Sequence, residues 1–144
     1  MKYLVIALTC AMAIGTAFAG SKTYGNVEVK TITSIYDGDT FRADIKDWPP
    51  IVGSRIGIRV NGIDTPEIRG KCTKEKELAR LAKQATVQFL RSSKTIELRN
   101  IQRGKYFRIV ADVYGDGKNL TEHLIKKGLG VRYDGGTKSK DWCD

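Results

Sequence analysis

Histidine is nearly absent from this chain. His123 is the only one among 144 residues, and the three cysteines, Cys10, Cys72 and Cys143, have no zinc-type spacing with it. A Cys/His metal centre is therefore excluded. No apolar run reaches the ~20 residues that a bilayer span needs, and no internal repeat or low-complexity segment occurs. Acidic residues are in short supply too: 16 Asp and Glu stand against 25 Lys and Arg, a net charge of +9. A basic excess of that size favours a polyanionic partner, nucleic acid before membrane.

What is present begins with an apolar run. Lys2 precedes residues 3–15, which are almost wholly apolar, and Ala17-Phe18-Ala19 forms an A-x-A cleavage signature before Gly20. Residues 1–19 are therefore expected to be a secretory signal peptide. Its removal would leave residues 20–144 as one domain of ordinary size, secreted or periplasmic, monomeric and without stable membrane association. Cys10 falls inside the expected peptide, in a poor match to a lipobox. Loss of Lys2 leaves the net charge near +8. The two cysteines that remain, Cys72 and Cys143, are expected to pair in an oxidising compartment, closing a loop of about seventy residues. The alternative is two free thiols.

Alternation of apolar and polar residues predicts strands over 27–35 and 40–45, with Asp37-Gly38-Asp39 as the turn between them. Asp47-Trp48-Pro49-Pro50 breaks the pattern as a loop. Ile56, Ile58, Val60 and Ile63 mark a third strand, ended by Pro66. From Thr73, a plausible N-cap, the period becomes helical, with Leu78, Leu81, Ala82, Ala85, Phe89 and Leu90 on one face. Short strands follow at 95–99 and 110–113, with a turn at Tyr114-Gly115-Asp116-Gly117. A second helix over 120–127 stops at Gly128, and residues 134–144 are a polar, glycine-rich tail.

The chemistry-bearing residues fall in three places: Asp37-Gly38-Asp39-Thr40, the stretch from Arg59 to Ile63-Asp64-Thr65-Pro66-Glu67, and Lys105-Tyr106-Phe107-Arg108. Carboxylates suit a hard divalent cation. A further carboxylate beside such an ion can deprotonate water. Arginine forks match phosphate oxygens two at a time. Together these are the parts needed to cut a phosphodiester.

In order and spacing these motifs, with Gly117-Lys118-Asn119-Leu120 and Leu124-Ile125-Lys126-Lys127-Gly128-Leu129, resemble the staphylococcal nuclease (thermonuclease) family over residues 26–133. The resemblance implies an α+β fold, a five-stranded OB-type β-barrel with helices packed on it. It implies Asp39 and Asp64 as ligands of one Ca²⁺, with the backbone carbonyl of Thr65 as a third. Glu67 would be the general base, and Arg59 and Arg108 would grip the scissile phosphate. Tyr106 and Tyr133 would contact nucleotides, and Asp37 would form the turn or act from outside the ligand set. The implied activity is a Ca²⁺-dependent endonuclease on DNA and RNA without strong sequence specificity, leaving 3′-phosphate and 5′-hydroxyl ends. Three departures stand out. Phe107 occupies a place usually held by glycine, Gly104 replaces an acidic residue common nearby, and the family's helix after the position of Tyr133 has no counterpart.

The alternative is a non-catalytic nucleic-acid-binding module of the same fold. Such domains lose the acidic and arginine residues that Asp39, Arg59, Asp64, Glu67 and Arg108 represent here. A secreted interaction protein using its basic face is supported by charge alone. His123 is read as a packing or helix-surface residue. Arg69, Lys71, Lys74, Lys76, Arg80 and Lys83 form either a solvated face balanced by Glu75 and Glu77 or a track for substrate.

Overall fold

A computed structural model describes residues 22–144. The expected signal peptide, with Cys10, lies outside the described residues. The elements are β1 (Val27–Ile35), β2 (Thr40–Ile45), α1 (Pro50–Gly53), β3 (Ile56–Val60), β4 (Ile63–Asp64), α2 (Thr73–Ser92), β5 (Ile96–Arg103), β6 (Arg108–Gly115), β7 (Lys118–Asn119), α3 (Leu120–Lys126) and β8 (Val131–Arg132).

Period-two alternation builds the barrel. Phe41, Ala43 and Ile45 of β2, Ile56, Ile58 and Val60 of β3, and Ile109, Ala111 and Val113 of β6 point inward, while the residues between them face outward. Strand β1 pairs antiparallel with β2 and with β5, β2 with β3, and β5 with β6. A parallel pairing of β3 with β6 closes the ring. The result is a closed five-stranded barrel of OB type carrying three helices, the α+β architecture expected. Closure leaves these five strands no free edge. No helix among the described residues is long and apolar enough to cross a membrane.

Helix α2 covers the barrel with Ala82, Ala85, Phe89 and Leu90 of the expected face, but the face is shifted at its edges. Ala79, Ala82, Ala85, Thr86, Phe89 and Leu90 are buried, whereas Leu81 is 51% exposed. Small residues are needed because the Asp37-Gly38-Asp39 turn lies directly on the helix. Thr86 Oγ1 donates to the Gly38 carbonyl at 2.7 Å, and a Cβ on Gly38 would come within 2.9 Å of Ala82 Cβ. Leucines at those helix positions would push the turn away.

The helix also starts differently. Cys72, not Thr73, is the N-cap, and its sulfur accepts from Glu75 N at 3.3 Å. Cys72 is joined to Cys143 in a disulfide, with Cα atoms 6.0 Å apart, so the helix start is pinned one residue earlier than the side-chain oxygen of Thr73 suggests. Three further differences concern extent. The third strand is split into β3 and β4 by the Asn61-Gly62 turn, a single helical turn α1 follows Pro49, and β5 and β6 run longer than the short strands expected. Residues 134–144 form no regular element, yet Trp142 within them is buried.

Candidate active site

The register of three strands gathers the charged residues at one end of the barrel. Thr40 lies opposite Arg59 across β2 and β3. Across the parallel seam, Arg108 lies opposite Gly57, two residues from Arg59 and on its face of the sheet. The Arg108 stem runs over the open surface that Gly57 leaves. Strand β4 pairs with β8, Asp64 opposite Val131, which fixes the next corner.

Asp39 is 5% exposed and holds four donors. Its Oδ1 accepts from Thr40 Oγ1 at 3.0 Å, and its Oδ2 accepts from Thr65 N at 3.3 Å and Thr65 Oγ1 at 2.9 Å. Arg59 Nη1 lies 2.6 Å from the same Oδ2. The other guanidinium nitrogen of Arg59 donates to the Ile63 carbonyl at 3.0 Å, so the fork is held from both sides. Asp37 Oδ1 accepts from Asp39 N at 3.1 Å, the turn-forming role expected of it. Burial and the adjacent Asp39 carboxylate push the Asp37 carboxyl up to about 7, against the Asp39 N–H and the Arg59 charge.

Asp64 is different. It is 3% exposed, and its buried Oδ1 has Lys138 as its one polar partner. Lys138 Nζ lies 2.7 Å from that oxygen as an ion pair. The same Nζ donates to Glu67 Oε1 at 2.7 Å. Burial alone would lower the Lys138 pKa, but Asp64 and Glu67 hold the ammonium charged well above its usual range. A buried carboxylate oxygen whose one partner is a lysine ammonium, next in the chain to the buried Thr65 and linked through Lys138 to Glu67, is a donor set of the kind a hard divalent cation takes. Among the described residues, the one cluster of three metal-type side chains is Cys72, Glu75 and Cys143, and its sulfurs are already joined.

Two adjoining clefts hold these groups. One, of about 250 Å³, is lined by Asp37, Asp39, Arg59, Thr65, Glu67 and Arg108. The other, of about 470 Å³, has Asp64 in its wall. Lys138 lines both. A larger cleft of about 520 Å³ around Trp48, Ile101 and Phe107 is mostly apolar and has no carboxylate in its lining. Arg108 borders it, and Arg108 Nε is buried without a partner.

Glu67 is held by its neighbours. Glu75, read from sequence as part of a solvated face, is buried and turned toward the loop. Its carboxylate accepts from Glu67 N at 3.3 Å and from Lys71 N at 2.9 Å. The approach requires Gly70, where a Cβ would stand 2.3 Å from Glu75 Cδ.

The two tyrosines are not brought into the cleft. Tyr106 is 91% exposed at the tip of the β5–β6 hairpin, and Tyr133 donates its hydroxyl to the Gly136 carbonyl at 2.6 Å. Tyr106 and Phe107 have φ of +57° and +54°, so the hairpin keeps a left-handed turn without glycine. His123 packs against Phe89, ring centroids 5.1 Å apart, away from the carboxylates. Sequence reasoning missed Tyr36 and Lys138, both at the cleft. The expected Cys72–Cys143 bridge brings the tail to the start of α2, but no feature of the sequence singles out Lys138.

No curated protein matches the chain. The family model described as staphylococcal nuclease homologue matches residues 57–141, from β3 through the tail. With that match over more than half the chain and a closed five-stranded barrel beneath it, this protein belongs to the staphylococcal nuclease homologue family.

Proposed function

We propose that this chain is a secreted, monomeric, metal-dependent endonuclease that hydrolyses DNA and RNA without strong sequence specificity. One observation carries the reading: Asp39, Asp64, Glu67, Arg59 and Arg108 converge on two adjoining clefts at one end of the barrel. Asp39, Asp64 and the Thr65 carbonyl would hold one Ca²⁺. Bound there, the ion supplies charge neutralisation at the phosphate and acidifies water. Glu67, exposed and braced by Glu75, accepts the proton of the attacking water. Arg59 and Arg108 bind the equatorial phosphate oxygens as charge builds there, a contact that acts on rate. The water oxygen joins phosphorus as the P–O5′ bond breaks, and the departing 5′-oxygen takes a proton from solvent water, leaving a 3′-phosphate and a 5′-hydroxyl while Glu67 returns its proton to solvent.

The same reading has residues 1–19 removed on export, and the disulfide supports it, because such bonds persist in oxidising compartments. The test is digestion of single-stranded DNA, duplex DNA and RNA with Ca²⁺, Mg²⁺, Mn²⁺ or chelator. Cleavage that needs the ion, with 3′-phosphate products, is expected. Binding without cleavage under every ion would establish the non-catalytic module instead.

A further inference from the structure

The last eleven residues form no helix or strand, yet they are fixed at both ends. Tyr133 N donates to the Gly62 carbonyl at 3.1 Å at the start of the segment. At its end Cys143 is bonded to Cys72, Trp142 is 8% exposed, and Lys74 donates to the Asp144 carbonyl. Between these anchors the chain crosses the mouth of the site, and Lys138 reaches in. Its Nζ is 2.7 Å from Asp64 Oδ1 and 2.7 Å from Glu67 Oε1. Asp64 Oδ1 has no other polar partner. An ammonium and a divalent ion cannot share that buried oxygen at close range, since both need its charge and like charges repel.

We propose that Lys138 is a tethered counter-ion that competes with the divalent cation for Asp64, so that the disulfide-tied tail sets the cation affinity of the site. This rests on the metal-dependent reading above. Anchoring both ends of the segment keeps the ammonium at high effective concentration beside Asp64. Opening the disulfide frees one end, and the competitor weakens. A strap seated about nine-tenths of the time would weaken apparent cation affinity about tenfold.

The measurement is calorimetric titration of the full chain with Ca²⁺, without nucleic acid. Lys138→Met is expected to lower Kd on the order of tenfold, and Lys138→Arg to leave it near the unsubstituted value. Lys140→Met removes a nearby charge that touches neither carboxylate, and is expected to change Kd less than about twofold, as screened surface charges do. The double variant Cys72→Ser/Cys143→Ser is expected to tighten binding too, and to add nothing once Lys138→Met is present. Asp64→Ala separates the two ideas. If Asp64→Ala abolishes binding while Lys138→Met binds no tighter, or only as much tighter as Lys140→Met, the tail has no competing role and the metal-site reading stands. If Ca²⁺ binding is absent from the unsubstituted protein or indifferent to Asp64→Ala, that reading fails and the inference falls with it.

Discussion

Asp39 and Asp64 are both buried carboxylates, but their surroundings differ. Asp39 has donors on both oxygens, including Arg59, while Asp64 Oδ1 has only the tail ammonium beside it. The arginines divide in the same way. Arg59 is tied to Asp39 and the Ile63 carbonyl, whereas Arg108 Nε is buried without a hydrogen-bond partner. Arg108→Ala is therefore expected to lower kcat about 10²–10³-fold with a smaller change in KM. Arg59→Lys is expected to be costly in kcat as well, because a point charge cannot replace the held fork. Steady-state kinetics on one oligonucleotide decides both, and a change confined to KM for Arg108→Ala would remove its transition-state role. Away from the site, burial first, then Lys127 and Lys118, lower the pKa of His123 from its ordinary 6.5. The unfolded chain then binds the proton more readily than the folded one, so stability rises with pH through the window below and around that value. Melting temperature measured across this range should show less slope at its upper end in His123→Phe than in the unsubstituted protein.

Turns and helix starts, more than strands, carry the strain and the positioning. The β5–β6 hairpin places two consecutive bulky residues, Tyr106 and Phe107, in the left-handed region. Phe107→Gly should relieve about 1–2 kcal/mol there, against about 0.5–1 kcal/mol of added chain entropy. A small net gain in urea midpoint is expected, and a loss would mean that Phe107, though 72% exposed, packs usefully beside the apolar cleft. The loop before α2 makes the opposite demand. Gly70→Ala drives a methyl into the Glu75 carboxylate and should cost about 1–3 kcal/mol, as overpacking does. Because Glu75 also braces the Glu67 backbone, kcat should fall with it. Activity unchanged in a destabilised Gly70→Ala would show that the brace does not position the base.

At the scale of the whole molecule, barrel closure and the disulfide hold the site together. The bridge spans 71 residues, from the start of α2 to the penultimate residue of the chain. In the chain-entropy account a loop of that length stabilises by about 4 kcal/mol. Reduction is therefore expected to lower the melting temperature by roughly 10–20 °C for a domain of this size. Thermal melts with and without reductant check it, and coincident curves would show that the bridge constrains only an already flexible tail. The exposed Lys74 and Lys76 lie on the N-terminal part of α2. Neutralising both should mainly raise KM and flatten its salt dependence, since fewer counterions are released on binding.

Local sequence determined much of this protein. Alternation located barrel strands, three- and four-residue spacing located α2, the stop at Gly128 marked α3, and the ordered acidic and arginine motifs singled out Asp39, Arg59, Asp64, Glu67 and Arg108. Those signals are local because backbone geometry repeats every two or 3.6 residues. Tertiary structure decided which of the marked residues meet. The parallel β3–β6 seam sets Arg108 opposite Gly57, two residues from Arg59 and on its face of the sheet, although the arginines are far apart in the chain. Close approach of the Asp37–Asp39 turn made α2 bury Ala79 and Thr86 and expose Leu81. The disulfide carried a tail with no periodic signal across the cleft, bringing Lys138 to Asp64 and Glu67. Each depends on segments meeting in space, and a periodicity of a few residues contains no term for that.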